Sequence, residues 1–138
     1  MPLSLIVNQI TTYKPQPLNQ EESGPSPRGF FDIAIGKYIY LTTEYGIDIL
    51  ELTNSSRIDR VGRLKLSPRP RFLELYKNIL ISTTDDGNIY VIHLLEDGKT
   101  LQLSETRKVA DTLGGIFLKD NIVFSADGSN LYIFSILQ

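Results

Sequence analysis

The chain has no cysteine, no tryptophan, a single histidine and a single methionine in 138 residues. Without cysteine there can be no disulfide, thiolate metal ligand or cysteine nucleophile. His93 sits between Ile92 and Leu94 with no nucleophile near it in sequence. Catalytic and metal sites need several converging groups, so it reads as a structural or surface histidine. Charge of one sign is also missing: 14 lysines and arginines stand against 16 aspartates and glutamates. That balance gives no global attraction for nucleic acid or anionic lipid. No apolar run approaches the roughly eighteen residues of a membrane span. The stretch Met1 to Ile10 has no basic start, and Ser4, Asn8 and Gln9 interrupt its apolar residues. It is therefore not read as an export signal, and a cytoplasmic location is expected.

Chemical motifs are equally sparse. No glycine-rich phosphate loop opens a helix. Asp85-Asp86-Gly87 and Asp127-Gly128 lack the ligand spacing of a calcium loop and its closing glutamate. Both are read as hairpin turns, where Asp-Gly supplies the positive φ angles that a tight reversal requires. No enzyme activity, metal or cofactor is expected. The remaining composition, 41% hydrophobic and 22% charged, is that of one folded domain.

What the chain does have is a repeat. GKYIYLTTEYGIDILELTN from Gly36, YKNILISTTDDGNIYVIHLLE from Tyr76 and LKDNIVFSADGSNLYIFSIL from Leu118 each read as turn, strand, turn, strand, and Gly46, Gly87 and Gly128 lie 41 residues apart. The second copy shows four strand-like runs: Arg71 to Tyr76, Ile79 to Thr84, Asn88 to Leu95 and Leu101 to Val109. The first shows the same order in Phe30 to Ile35, Tyr38 to Thr43, Ile47 to Thr53 and Ile58 to Leu66. The third repeats three of the four. Runs such as YIYLTT and IYVIHLL are apolar on both faces, as in a sheet packed between two other sheets. A period near forty with four strands per unit predicts an all-β chain of β-propeller blades. A helical solenoid would need 3.6-periodic segments, which are not present.

The expected organisation is residues 29–66 as blade one, 67–109 as blade two and 110–138 as blade three. The third blade has no fourth strand, and residues 1–13, LSLIVNQITTY at their core, supply a spare one that would complete it. Residues 14–28, with four prolines, are read as an extended linker, or else as a proline-rich peptide for another domain. Three blades cannot close a ring, since propellers use roughly four to eight. Association is therefore expected, most simply as a homodimer of three plus three blades with the N-terminal strand shared in trans. A trimer, a chain drawn from a longer polypeptide, and pairing with other propeller subunits stay open.

The residues GIDILELTNSSRIDRVGRLKL, Gly46 to Leu66, resemble the LVIVD-type propeller repeat, in which a Gly-led apolar strand ends in a turn and a Val-Gly strand follows. IAIGKYIYLTT resembles the lead-in of that repeat. The second and third copies lack the Val-Gly element, and none has the Trp-Asp ending of the WD type. The resemblance implies a propeller that serves as a binding platform.

Two loop sets then become candidate partner-binding surfaces. One end of the blades would carry Glu44, Tyr45, Asp85, Asp86 and Asp127, with Arg69 and Arg71 from the SPRPR connection. The other would carry Lys37, Lys77 and Lys119, one lysine at the equivalent first turn of every repeat. Clustered lysines in a concave mouth attract anionic partners, whereas scattered ones are merely comfortable at exposed turns. The function expected is a non-catalytic scaffold for a protein partner. The competing readings are a structural subunit of a hetero-assembly and a small-ligand or enzymatic propeller that uses its channel mouth.

Overall fold

The computed structural model describes residues 11–14, 30–54 and 57–136. It is all-β: eleven strands and no helix among the described residues. β1 (Phe30–Ile35), β2 (Ile39–Thr43), β3 (Gly46–Thr53) and β4 (Arg57–Lys65) form sheet A. β5 (Pro70–Tyr76), β6 (Ile79–Thr84), β7 (Asn88–Leu94) and β8 (Leu101–Lys108) form sheet B. β9 (Ile116–Lys119), β10 (Ile122–Ala126) and β11 (Leu131–Ser135) form sheet C. All pairings are antiparallel between strands consecutive in sequence, as short turns dictate. The strand boundaries agree with the sequence reading to within a residue or two. Residues 11–14 carry no strand pairing. The remainder of the expected N-terminal strand and almost all of the linker lie outside the described residues.

The sheets pack face to face in chain order, with their first strands side by side: β1 and β2 adjoin β5, and β5 adjoins β9. Tyr40, Ile47 and Ile49 of sheet A meet Leu73, Leu80, Tyr90 and Ile92 of sheet B in one core. Ile79, Ile81 and Ile89 on the opposite face of sheet B meet Ile116 and Val123 of sheet C in another. Sheet B is thus buried on both faces, which is why β6 and β7 are apolar on both.

Hydroxyls staple neighbouring sheets together. Thr42 Oγ1 donates to the Arg71 carbonyl at 2.7 Å and Thr83 Oγ1 to the Gly114 carbonyl at 3.0 Å. These buried threonines explain the repeated Thr-Thr pairs that end β2 and β6. Each satisfies a backbone carbonyl in the adjacent sheet without exposing a polar group to the core. Asp32 of β1 makes the same kind of link, its Oδ2 accepting the Leu73 amide of β5 at 2.8 Å.

Candidate functional site

The alternation of β3 places Ile47 and Ile49 toward sheet B and Asp48 on the opposite face. There, cross-strand pairing sets Ile33, Leu41, Asp48 and Arg63 in one row. Asp48 and Arg63 are 0% and 1% exposed at their side chains. They form a two-pronged ion pair, Arg63 Nε to Asp48 Oδ1 at 2.5 Å and Nη2 to Oδ2 at 3.0 Å. Tyr45, in the β2–β3 turn, lies under the guanidinium with its ring centroid 4.5 Å from Cζ. Tyr13 donates its hydroxyl to Asp48 Oδ2 at 2.7 Å. A buried carboxylate is tolerated because three donors converge on it, two of them from the Arg63 cation. This cluster anchors the described N-terminal residues to the face of sheet A that points away from sheet B.

Burial, reinforced by the hydrogen bond to Asp48, pushes the Tyr13 phenol up to about 12 from the ordinary 10.0. The fold therefore favours the neutral phenol. The stabilisation from this contact is complete below pH 10 and is lost as pH rises through about 12. A tyrosinate absorbance titration of the protein, minus that of Tyr13→Phe, should show one phenol with its midpoint near 12. A difference midpoint at 10 would mean that Tyr13 does not sit on Asp48.

The loop residues singled out from sequence fall into two groups. At the end that carries the β2–β3, β6–β7 and β10–β11 turns, Arg71 pairs with Asp85. The Asp86 carboxylate is capped by Thr84 Oγ1 at 2.5 Å and Asn88 Nδ2 at 3.0 Å, and the Thr84 bond, ahead of the others, lowers its pKa. Asp127 accepts from the Tyr132 hydroxyl at 2.6 Å and from the Ser129 and Asn130 amides, with the Tyr132 bond first in holding its carboxyl at about 2. These carboxylates are turn-forming groups that satisfy their own hairpins. Tyr45 is engaged with Arg63. Arg69 lies in the connection to β5, next to Pro68, whose carbonyl accepts the Tyr90 hydroxyl at 2.5 Å, and Glu44 shares the β2–β3 turn with Tyr45.

At the opposite end, Lys37 and Lys77 line one groove of about 470 Å³ together with Asn78, His93, Glu96 and an apolar floor that includes Tyr40 and Leu75. His93 Nε2 lies 3.1 Å from Asn78 Nδ2. Lys119 does not join them. It is the last residue of β9, paired with Ile122, and the turn position equivalent to Lys77 is held by Asp120. Lys77 and Asp120 share a left-handed backbone, φ 52° and 53°. The structure thus brings two of the three lysines to one groove.

No family model matches the chain, and no curated protein matches it. Among solved structures, the crystal structure of the computationally designed Ika8 protein is similar with a TM-score of 0.62 at 18% identity, over 78% of this chain and 33% of that one. The crystal structure of the computationally designed Ika4 protein gives a TM-score of 0.48 at 16% identity, over 95% and 99% of the two chains. This chain spans about a third of the Ika8 chain, and the likeness is one of fold alone. Among the described residues no group of three or more histidines, cysteines, aspartates or glutamates is gathered as a metal site would require, and no helix is long and apolar enough to cross a membrane.

The Asp48–Arg63 pair is a buried charged cluster that the loop residues do not point to. Its signal is present in the sequence: a charged residue at an apolar-strand position in GIDILEL, and a second, of opposite sign, in the facing VGRLKL.

Proposed function

We propose that the chain is a non-catalytic β-propeller scaffold, its three sheets acting as blades, which closes by association with a second copy and holds its loops out to a protein partner. The observation that carries this reading is the apolar surface left at both ends of the stack. Beyond sheet C, the row Phe117, Phe124 and Ile133 faces away from sheet B, and Phe117, Leu131 and Ile133 are 75%, 63% and 58% exposed. Beyond sheet A, Ile33 and Ile35 are 51% and 72% exposed. Large apolar side chains exposed at the outer faces of both end sheets favour an interaction face there. Antiparallel blades whose first strands adjoin, the 41-residue repeat and the LVIVD-type resemblance of Gly46 to Leu66 support the blade reading. The match to one third of a larger designed chain supports a body with more sheets than three. Two self-complementary copies, each laying sheet C on the other's sheet A, form a closed six-blade ring with two-fold symmetry. The groove that holds Lys37 and Lys77 is the part of the loop surface best suited to a partner, because at the other end Asp86 and Asp127 are committed to their own turns and Asp85 to Arg71.

Light scattering tests closure directly. The purified chain should have twice its mass of 15.6 kDa, and the pair Phe117→Lys with Ile133→Lys should return it to a single copy. A wild-type chain that runs as a clean single copy overturns the self-closed scaffold.

A further inference from the structure

The seam between sheets A and B ends in the groove that carries Lys37 and Lys77 over an apolar floor. Lys37 comes from the β1–β2 turn of sheet A and Lys77 from the β5–β6 turn of sheet B, and both are exposed. Local packing fixes where each cation is displayed. Gly98, in the β7–β8 turn, is tied to sheet A through its carbonyl, which accepts the buried Tyr40 hydroxyl at 2.6 Å. A Cβ on Gly98 would fall 2.9 Å from Lys37 Cδ and 3.2 Å from Lys37 Cβ, so the glycine is the bed on which the lysine stem lies. Lys77 Nζ stands 5.3 Å from the centroid of the Tyr76 ring. Its turn is closed by the Asn78 carbonyl, which accepts the Leu94 amide at 2.7 Å. Among the described residues neither lysine enters an ion pair. Glu96 is the single carboxylate in the lining. Asp97 beside it is taken up by Thr100 Oγ1 at 2.6 Å and by the Lys99 and Thr100 amides at 3.0 and 2.9 Å.

We infer that this groove takes an acidic peptide segment with one large apolar residue among its carboxylates, an inference that rests on the reading of the chain as a scaffold for a protein partner. Charge complementarity sets the sign of the ligand. Two cations against one carboxylate attract an anion, and they do so more strongly beside apolar side chains than in open water. The floor sets the second feature. Leu75, Leu94 and the Tyr40 ring offer nothing to a bare anion, since the Tyr40 hydroxyl is committed to Gly98, but they gain from being covered by an apolar side chain. Arginine forks, the planar partners of phosphate, are not among the described residues that line the groove. Its volume of about 470 Å³ suits a few side chains of an extended segment, with the apolar one seated and the carboxylates at the rim.

The chain has no tryptophan, so the emission of a tryptophan peptide is read without background. Titrating the full-length chain into the capped peptide Glu-Glu-Trp-Glu-Glu should give a saturable blue shift as the indole leaves water for the floor. Lys37→Glu with Lys77→Glu should weaken binding at least about tenfold, since two attractive contacts become repulsive. Lys119→Glu makes the same charge change on an exposed residue outside the groove, and should leave binding within about twofold. Should the double variant lose its native circular dichroism, Lys37→Met and Lys77→Met, which keep the stems, replace it and should each weaken binding about threefold, as the loss of one exposed ion pair does. Equal binding by the groove variants and the wild type, or of Lys-Lys-Trp-Lys-Lys and the acidic peptide, would overturn the site. Displacement by Glu-Glu-Gly-Glu-Glu or inorganic phosphate as readily as by unlabelled parent peptide would show an anion site that makes no use of the floor, and would overturn the peptide. No saturable shift from a chain that scatters as two copies would overturn the acidic peptide and leave the self-closed scaffold standing, whereas no shift from a single-copy chain would remove both.

Discussion

Replacing Arg63 by methionine should lower the unfolding free energy by about 3–5 kcal/mol, the range for removing one partner of a buried ion pair. Methionine keeps much of the side-chain volume, so the loss is chiefly electrostatic: the Asp48 carboxylate, fully buried, would keep only the Tyr13 hydroxyl of its three donors. Tyr45 would also lose the cation above its ring, worth about 0.5–2 kcal/mol. The double replacement Asp48→Leu with Arg63→Met should recover most of this loss, because it removes the desolvated charges together. Denaturant unfolding of the two variants beside the wild type separates these terms. A single-variant loss within about 1 kcal/mol would show that the pair is solvated, as surface pairs are, and that the Tyr13 anchor has no buried socket.

Gly87→Ala should be the second severe change, at about 3 kcal/mol. A left-handed backbone costs a non-glycine residue about 1–2 kcal/mol. At φ +83° the new Cβ would also overlap the Ala110 carbonyl oxygen, displacing the stretch whose Val109 amide donates to the Gly87 carbonyl at 2.8 Å. That hydrogen bond accounts for roughly another 1 kcal/mol. Gly128→Ala makes an informative companion. Its φ of +97° carries the conformational term, but within one chain its Cβ meets nothing. Gly128→Ala should therefore cost less than Gly87→Ala, about 1–2 kcal/mol from the conformational term alone. Equal costs for the two variants would show that the overlap with the Ala110 carbonyl at Gly87 is relieved by a small shift.

Strand positions were readable because each is bounded by turn residues and repeats with the same spacing, so three weak patterns reinforce one another. Side-chain commitments within the loops were less so. Asp86 and Asp127 look like a solvated acidic surface in sequence, yet their carboxylates are used up by Thr84, Asn88, Tyr132 and local amides, contacts that depend on turn geometry. Lys119 was matched to Lys37 and Lys77 by residue type. The two-residue turn at Asp120 and Asn121 shifts it by one place, onto the strand. Alternation reverses a side chain for every single-residue shift, so such alignments must be settled by pairing rather than identity. The Asp48–Arg63 contact needed the register of β3 against β4, including the irregularity after Ile49, and that register becomes visible only once both strands are in place.

The strand order described above also governs how the molecule acquires its shape. Since every strand among the described residues pairs with its neighbours in sequence, each sheet can zip up from its own hairpins. The sheets are then joined by the two apolar cores between them, with Thr42, Thr83 and Asp32 as polar ties. A lesion in one hairpin is therefore passed on through the core which that sheet shares with its neighbour.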